Sequence, residues 1–195
     1  KYIDILRQLG LVAREVSITE REPERSRKGL YRIEDSFLRF WFRFVHPNLR
    51  ALSLDLDGEI LEKRVKPQFA SFVKAAFALA AQEHLAALAR RGELAFSPER
   101  IGRWWNDHEE IAVVALNQQS STLLVGECDW RDQPADLALL NQLRHKAAIL
   151  NRGGEWKTIR YALFSKCGFT ADVRTIADVE GILLVSIDQM TNPLV

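Results

Sequence analysis

IGRWWNDHEEIAVVALNQQSSTLLVGECDW, residues 101–130, decides how this chain folds. Three stretches in and around it, Arg100–Trp105, Glu110–Leu116 and Thr122–Cys128, are short runs rich in β-branched, aliphatic and aromatic residues, the composition of strands. Polar Asn117–Ser121 separates the last two and has the length and chemistry of a hairpin loop. Strand residues two apart share a face, so Glu127 and Asp129 project from the same side of the third strand.

Working outward, the residues before this region, FASFVKAAFALAAQEHLAALAR (Phe69–Arg90), predict a long Ala-rich helix that ends before Gly92. Beyond it, Asp136–Leu150 places Leu137, Leu140, Leu143, Ala147 and Leu150 on one helical side. Asn151–Gly154 breaks that helix, Lys157–Ser165 reads as a strand, and Gly181–Ile187 as a last apolar strand. The expected fold class is α/β (α+β), with an αβββαβ core and a tail.

The first third is different. Lys1–Leu9 is already helical in pattern, with apolar positions 2, 3, 5, 6 and 9 on one face and Gly10 as a C-cap. The chain therefore reads as a domain cut from a longer protein. Leu11–Thr19 alternates like a strand, Glu20–Gly29 is a charged turn, and Leu30–Ile33 is a second short strand. Helix, strand, turn and strand is the tail end of a winged helix-turn-helix. Two readings stand for the turn with Arg25, Arg27 and Lys28: a solvated hairpin loop, or a wing that touches DNA phosphates. Asp35–Pro47 (DSFLRFWFRFVHP) reads as a capped aromatic helix stopped by Pro47, with its rings in core packing. The resulting division is residues 1–47, a linker over 48–68 with a turn at Asp55–Gly58, and a domain over 69–195.

Composition removes several classes. The chain carries 27 Lys and Arg against 26 Asp and Glu, a net charge of +1, so it does not advertise nucleic acid as a whole. Residues 1–70 hold 14 basic against 11 acidic side chains, leaving 13 against 15 beyond, which permits a basic surface only near the beginning. No apolar run reaches the roughly 18–20 residues a membrane span needs. Cys128 and Cys167 have no metal-type spacing and suggest no disulfide framework, which points to a reducing cytoplasm. His46, His84, His108 and His145 fall on separate elements, so zinc is not expected. The string Gly153-Gly154-Glu155-Trp156-Lys157-Thr158 is no phosphate loop, because Trp156 stands where a glycine must precede the lysine.

A helix, a strand with an acidic residue, and a second strand bearing Glu-x-Lys is the layout of metal-dependent nucleases. Carboxylates hold Mg²⁺ against the scissile phosphate, and a lysine orients or activates the attacking water. On ILRQLGLVAREVSITEREPERSRKGLYRIEDSFLRFWFRFVHPN (Ile5–Asn48), IGRWW (Ile101–Trp105), LLVGECDWR (Leu123–Arg131) and FSKCGFT (Phe164–Thr170), the chain resembles the C-terminal half of archaeal-type P-loop ATPases that carry domain of unknown function 234. The resemblance implies a winged helix followed by a restriction-endonuclease-like domain of the PD-(D/E)xK superfamily. It also implies that ATP is used only by an absent N-terminal part.

The departures bear on function. Family members tend to carry Phe-Glu, Ile-Asp and Glu-Cys-Lys where this chain has Phe77-Ala78, Ile111-Ala112 and Glu127-Cys128-Asp129. Only Glu127 survives. Glu110 and Asp129 could join Glu127 in a rearranged acidic site, with Lys146 replacing the lost lysine. The reading is a non-catalytic regulatory or interaction module of an ATPase, free of metal and cofactor in this part. Its expected partners are DNA, the ATPase domain of its own parent, or another protein, and never a membrane. The rival is an Mg²⁺-dependent endonuclease using Glu110, Glu127 and Asp129. A third reading is a pure protein-interaction or oligomerisation domain.

Overall fold

The structure, a computed structural model, describes residues 2–54 and 57–191. It divides into two units, residues 1–16 with 20–73, and residues 17–19 with 74–195.

In the first unit, helix α1 (Tyr2–Gln8) leads to an antiparallel pair, β1 (Val12–Glu15) and β2 (Leu30–Ile33), with Val12 opposite Ile33 and Glu15 opposite Leu30. Gly10, at φ 69°, ends α1 in the left-handed conformation, and Leu11 N–H donates back to Leu6 O. β1 is shorter than the Leu11–Thr19 strand expected from the sequence. Ile18 leaves that pairing: its N–H donates to Arg103 O at 2.9 Å and its side chain is buried in the second unit's core.

The aromatic segment starts as predicted. Asp35 caps α2 (Ser36–Phe40) by accepting from Leu38 N–H at 2.7 Å. Pro47 does not stop the helical chain. It falls at the start of a 3-10 turn (His46–Asn48) that follows a π turn (Trp41–Val45), where its missing N–H costs no bond. α3 (Leu49–Leu52) comes next. Phe40, Phe44 and Phe72 form the ring cluster, with centroids 5.2–6.0 Å apart, and Phe44 is buried. Phe37 and Phe42 stay exposed, so only part of the aromatic segment is core.

The expected linker is mostly helical. α4 (Asp57–Ile60) and a π turn (Leu61–Val65) run into α5 (Lys66–Arg90), which begins three residues earlier than predicted. Of the expected turn at residues 55–58, Asp55 and Leu56 lie outside the described residues, and Asp57 and Gly58 are helical. Helix-compatible charges explain the difference, because Glu59–Lys63 and Glu62–Lys66 pair at i,i+4.

The second unit holds a five-stranded mixed sheet in sequence order: β3 (Arg100–Trp105), β4 (Glu110–Asn117), β5 (Thr122–Asp129), β6 (Thr158–Ser165) and β7 (Leu183–Ser186). β3, β4 and β5 are antiparallel neighbours, and β6 and β7 are added in parallel through α6 (Leu137–Leu150) and α7 (Ala171–Glu180). Such parallel steps need crossover helices. The α/β class and the αβββαβ order are therefore present. α7 was not foreseen between the last two strands, although Thr170 caps it and Gly181, at φ 68°, ends it.

All eight residues of β5 are buried. Leu123 and Val125 join the cluster with Leu140, Leu143 and Ala147 of α6, whereas Leu124 and Cys128 join the one with Phe77, Ala81 and Leu85 of α5. A strand covered on both faces loses the polar alternation of a solvated one. β4 advances three residues, Val114 to Ile111, while β3 advances two, Gly102 to Trp104. This bulge lets Ala112 and Val113 both lie against the α5-side cluster.

Candidate functional site

The carboxylates named from the sequence stand on β4 and β5. Alternation along β5 sends Glu127 to the side of Leu123 and Val125, and there it meets α6. Lys146 Nζ donates to Glu127 Oε2 at 2.7 Å. Lys74, from α5, brings its ammonium to 3.7 Å from Oε1. The Glu127 side chain is only 7% exposed, against 53% for Lys74 and 23% for Lys146. One buried carboxylate is thus held by two cations that both reach solvent.

Asp129, also buried, is occupied differently. The Arg131 guanidinium grips it with Nε 2.9 Å from Oδ1 and Nη2 2.8 Å from Oδ2, and the Arg131 N–H donates to Oδ1 at 3.1 Å. Burial pushes this carboxyl up, and the hydrogen bonds and charge of Arg131 outweigh it, leaving Asp129 below its usual range. The same pairing raises Arg131. Arg131 also lies 3.7 Å from Asp136, which caps α6 through Leu139 N–H.

Glu110 does not complete an acidic triad. It is exposed on β4 and pairs with Arg103 of β3 at 3.2 Å. Among the described residues no three His, Cys, Asp or Glu side chains stand close enough to hold a metal ion. The gathering of Glu110, Glu127 and Asp129 considered from the sequence is therefore corrected: each acid is turned to its own cation. Ala78 and Ala112 both lie against the apolar cluster under α5, where their methyl groups add to the packing. Ala112 offers only its carbonyl, which accepts from Gln82 Nε2 at 2.7 Å. The donor set does not fit a divalent ion, which needs several oxygen ligands free of competing cations.

Cys128 sits between the two acids, and burial followed by the Glu127 charge pushes its thiol up, so it remains a neutral core group. Ser165, opposite Asp129 in the parallel ladder, is fully buried, and its hydroxyl has no hydrogen-bond partner among the described residues. Lys166 is paired with Asp132 and lies 5.4 Å from the Trp130 ring centroid.

Lys74 and Arg131 escaped the sequence reading. A signal existed for both: Lys74 is one helical turn before Ala78, on the same face, and Arg131 is two residues past Asp129. On the β1–β2 turn, Arg25 pairs with Glu22 at 3.3 Å, and Arg25, Arg27 and Lys28 are all exposed. The loop at residues 151–157 is tied by Asn151, which accepts from Trp156 N–H and donates to Trp156 O, each at 3.0 Å. The Trp156 indole is buried in the core of the unit. No helix among the described residues is long and apolar enough to cross a membrane.

The family model for domain of unknown function 234, described as archaeal and bacterial proteins of unknown function, matches residues 41–146, and the chain belongs to this family. An uncharacterized protein of Methanocaldococcus jannaschii is 34% identical over 131 residues, 67% of this chain. The chain spans only 29% of that relative's length. A solved complex of EndoMS with double-stranded DNA shares 16% identity at a TM-score of 0.34, covering 54% of this chain and 43% of the other. A likeness of that size says nothing about what this chain does.

Proposed function

We propose that this member of the family is a nuclease-type module that has lost its chemistry and serves as a non-catalytic, DNA-associated regulatory part of a larger ATPase. One observation carries the reading. The surviving acid and the new one are both committed to cations, Glu127 to Lys146 and Lys74 and Asp129 to Arg131, while alanines occupy positions 78 and 112. A carboxylate satisfied by ammonium or guanidinium groups has little left to offer a metal ion. The ATPase part, and with it ATP, belongs to chain outside these residues. The β1–β2 turn, with Arg25, Arg27 and Lys28, is a second element able to touch phosphates as a wing does.

Incubation with supercoiled, linear and single-stranded DNA in Mg²⁺ or Mn²⁺ tests this. No cleavage is expected. Cleavage that Glu127→Ala abolishes would overturn the reading. Reversal provides the complementary arm: Ala78→Glu, Ala112→Asp and Asp129→Lys together are expected to create Mg²⁺-dependent cutting, because they restore both ligands and lysine. Groups acting as one unit do so only jointly, so single reversions are expected to do little.

The second reading, an Mg²⁺-dependent endonuclease with a relocated lysine, is favoured by the Lys146–Glu127 contact. It requires Glu110 or Asp129 to abandon Arg103 or Arg131 when metal binds. Calorimetric titration with Mg²⁺ separates the two: saturable heat lost in Glu127→Gln belongs to the endonuclease alone.

A further inference from the structure

The mismatch between this site and a metal has a positive side. Two ammonium groups bring a total charge of +2 to Glu127, the charge of one magnesium ion, without the several oxygen ligands such an ion demands. We propose that Lys74 and Lys146, gathered on Glu127, form a metal-independent binding site for a phosphate group of the DNA backbone. This rests on the reading of the module as DNA-associated.

Geometry and charge carry the inference. Glu127 is buried and takes one hydrogen bond from Lys146, so it acts as an anchor that fixes the lysine heads. An ammonium has three N–H donors. Lys146 spends one on Oε2, and Lys74, half exposed, stands at 3.7 Å and has reach to spare. The cluster carries one positive charge in surplus.

The neighbouring loop is self-paired: Arg131 serves Asp129 and approaches Asp136, and Lys166 serves Asp132. Asp136 is the acid left half-served. It lies ten residues before Lys146 on the α6 path, roughly 15 Å along a helix axis. Its charge is met by Arg131, whose Nη2 stands 3.7 Å away, and among the described residues the ion pairs of Glu127 are with Lys74 and Lys146 alone. A phosphate diester oxygen, singly charged and an acceptor only, suits this surplus.

The test uses the whole 195-residue chain in EDTA. Anisotropy of a labelled duplex is followed across a salt series, and inorganic phosphate is titrated against backbone-amide NMR signals. The variants are Lys74→Gln, at an exposed position, and the neutral set Lys74→Gln, Lys146→Gln and Glu127→Gln, which leaves no buried charge unpaired. One phosphate contact contributes about 0.9 to the log–log salt slope, so over a fourfold rise in salt the wild type should lose about 3.5-fold more affinity than the neutral set. Lys74→Gln removes the surplus charge and leaves Lys146 paired with Glu127, so it should remove most of that slope.

Phosphate should shift amides around Lys74, Glu127 and Lys146 without Mg²⁺. If it does and DNA does not bind, the phosphate chemistry stands and the DNA reading fails. If DNA binds with a slope unchanged in the neutral set, the site is refuted and the DNA reading survives. Silence in both arms, or binding restored only by Mg²⁺, overturns the proposal.

Discussion

β5 and α1 are the two extremes of this molecule. Every residue of β5 is buried, whereas α1 has no buried residue and leaves Tyr2 at 84% and Leu9, just past its end, at 64% exposed. Both are apolar in sequence. β5 has apolar partners on each face, α6 on one and α5 on the other, while among the described residues α1 meets none that bury it. Apolar composition thus shows that a surface is suited to burial, and only partners in the fold decide that burial happens.

The largest expected effect tests this difference directly. Leu140 is fully buried under the sheet, so Leu140→Ala should cost about 2–5 kcal/mol through lost transfer energy and a residual cavity. Leu9→Ala removes the same atoms from an exposed position and should change stability by no more than about 0.5 kcal/mol. Urea unfolding of both variants measures the gap. Equal losses would mean that α1 has a burial partner not present among these residues.

The same contrast explains what could be read in advance. The strand bounds of β3 and β2 coincide with those expected, because turn-rich segments flank apolar runs on each side. Asp35 was legible as a candidate cap by residue type and position, whereas Asp136, read as the first residue of its helix, caps it. α7 was missed although Val173, Ile176 and Ala177 share its inner face and Thr170 and Gly181 mark its ends. The helical residues 57–65 were missed because local charge pairing, rather than an apolar stripe, supports them. At the site, the lost positions Ala78 and Ala112 were visible as identities. The cations that fill the vacancy were only half visible, because Lys74 and Glu127 are distant in sequence and chain order does not say which lysine reaches which acid.

A smaller effect concerns the acid limb of stability. Arg131 holds the Asp129 carboxyl below its usual range against the opposing push of burial, so the folded protein binds this proton less readily than the unfolded chain. A depressed carboxylate stabilises the fold above its unfolded value, about 3.9, and that contribution is lost as pH falls through the lower folded value. Arg131→Gln should therefore lower the urea midpoint at neutral pH, and the gap to wild type should close below about pH 4. A gap independent of pH would show that Arg131 acts through packing alone.

The smallest effect lies at the most buried place. Ser165 is fully buried beside Asp129 in the ladder, and its hydroxyl has no hydrogen-bond partner among the described residues. A hydroxyl removed from water without a partner costs about 1–3 kcal/mol, whereas a methyl at the same position carries no such penalty. Ser165→Ala deletes one oxygen, so the cavity it leaves is small and the relief should outweigh it. Stability should stay level or rise by up to about 1 kcal/mol. A loss larger than that would mean the hydroxyl is satisfied by a bound water or ligand atom, and the inner end of the site would then be wet. Comparing Ser165→Ala with Leu140→Ala therefore separates burial that builds the fold from burial that merely encloses a polar atom next to the site.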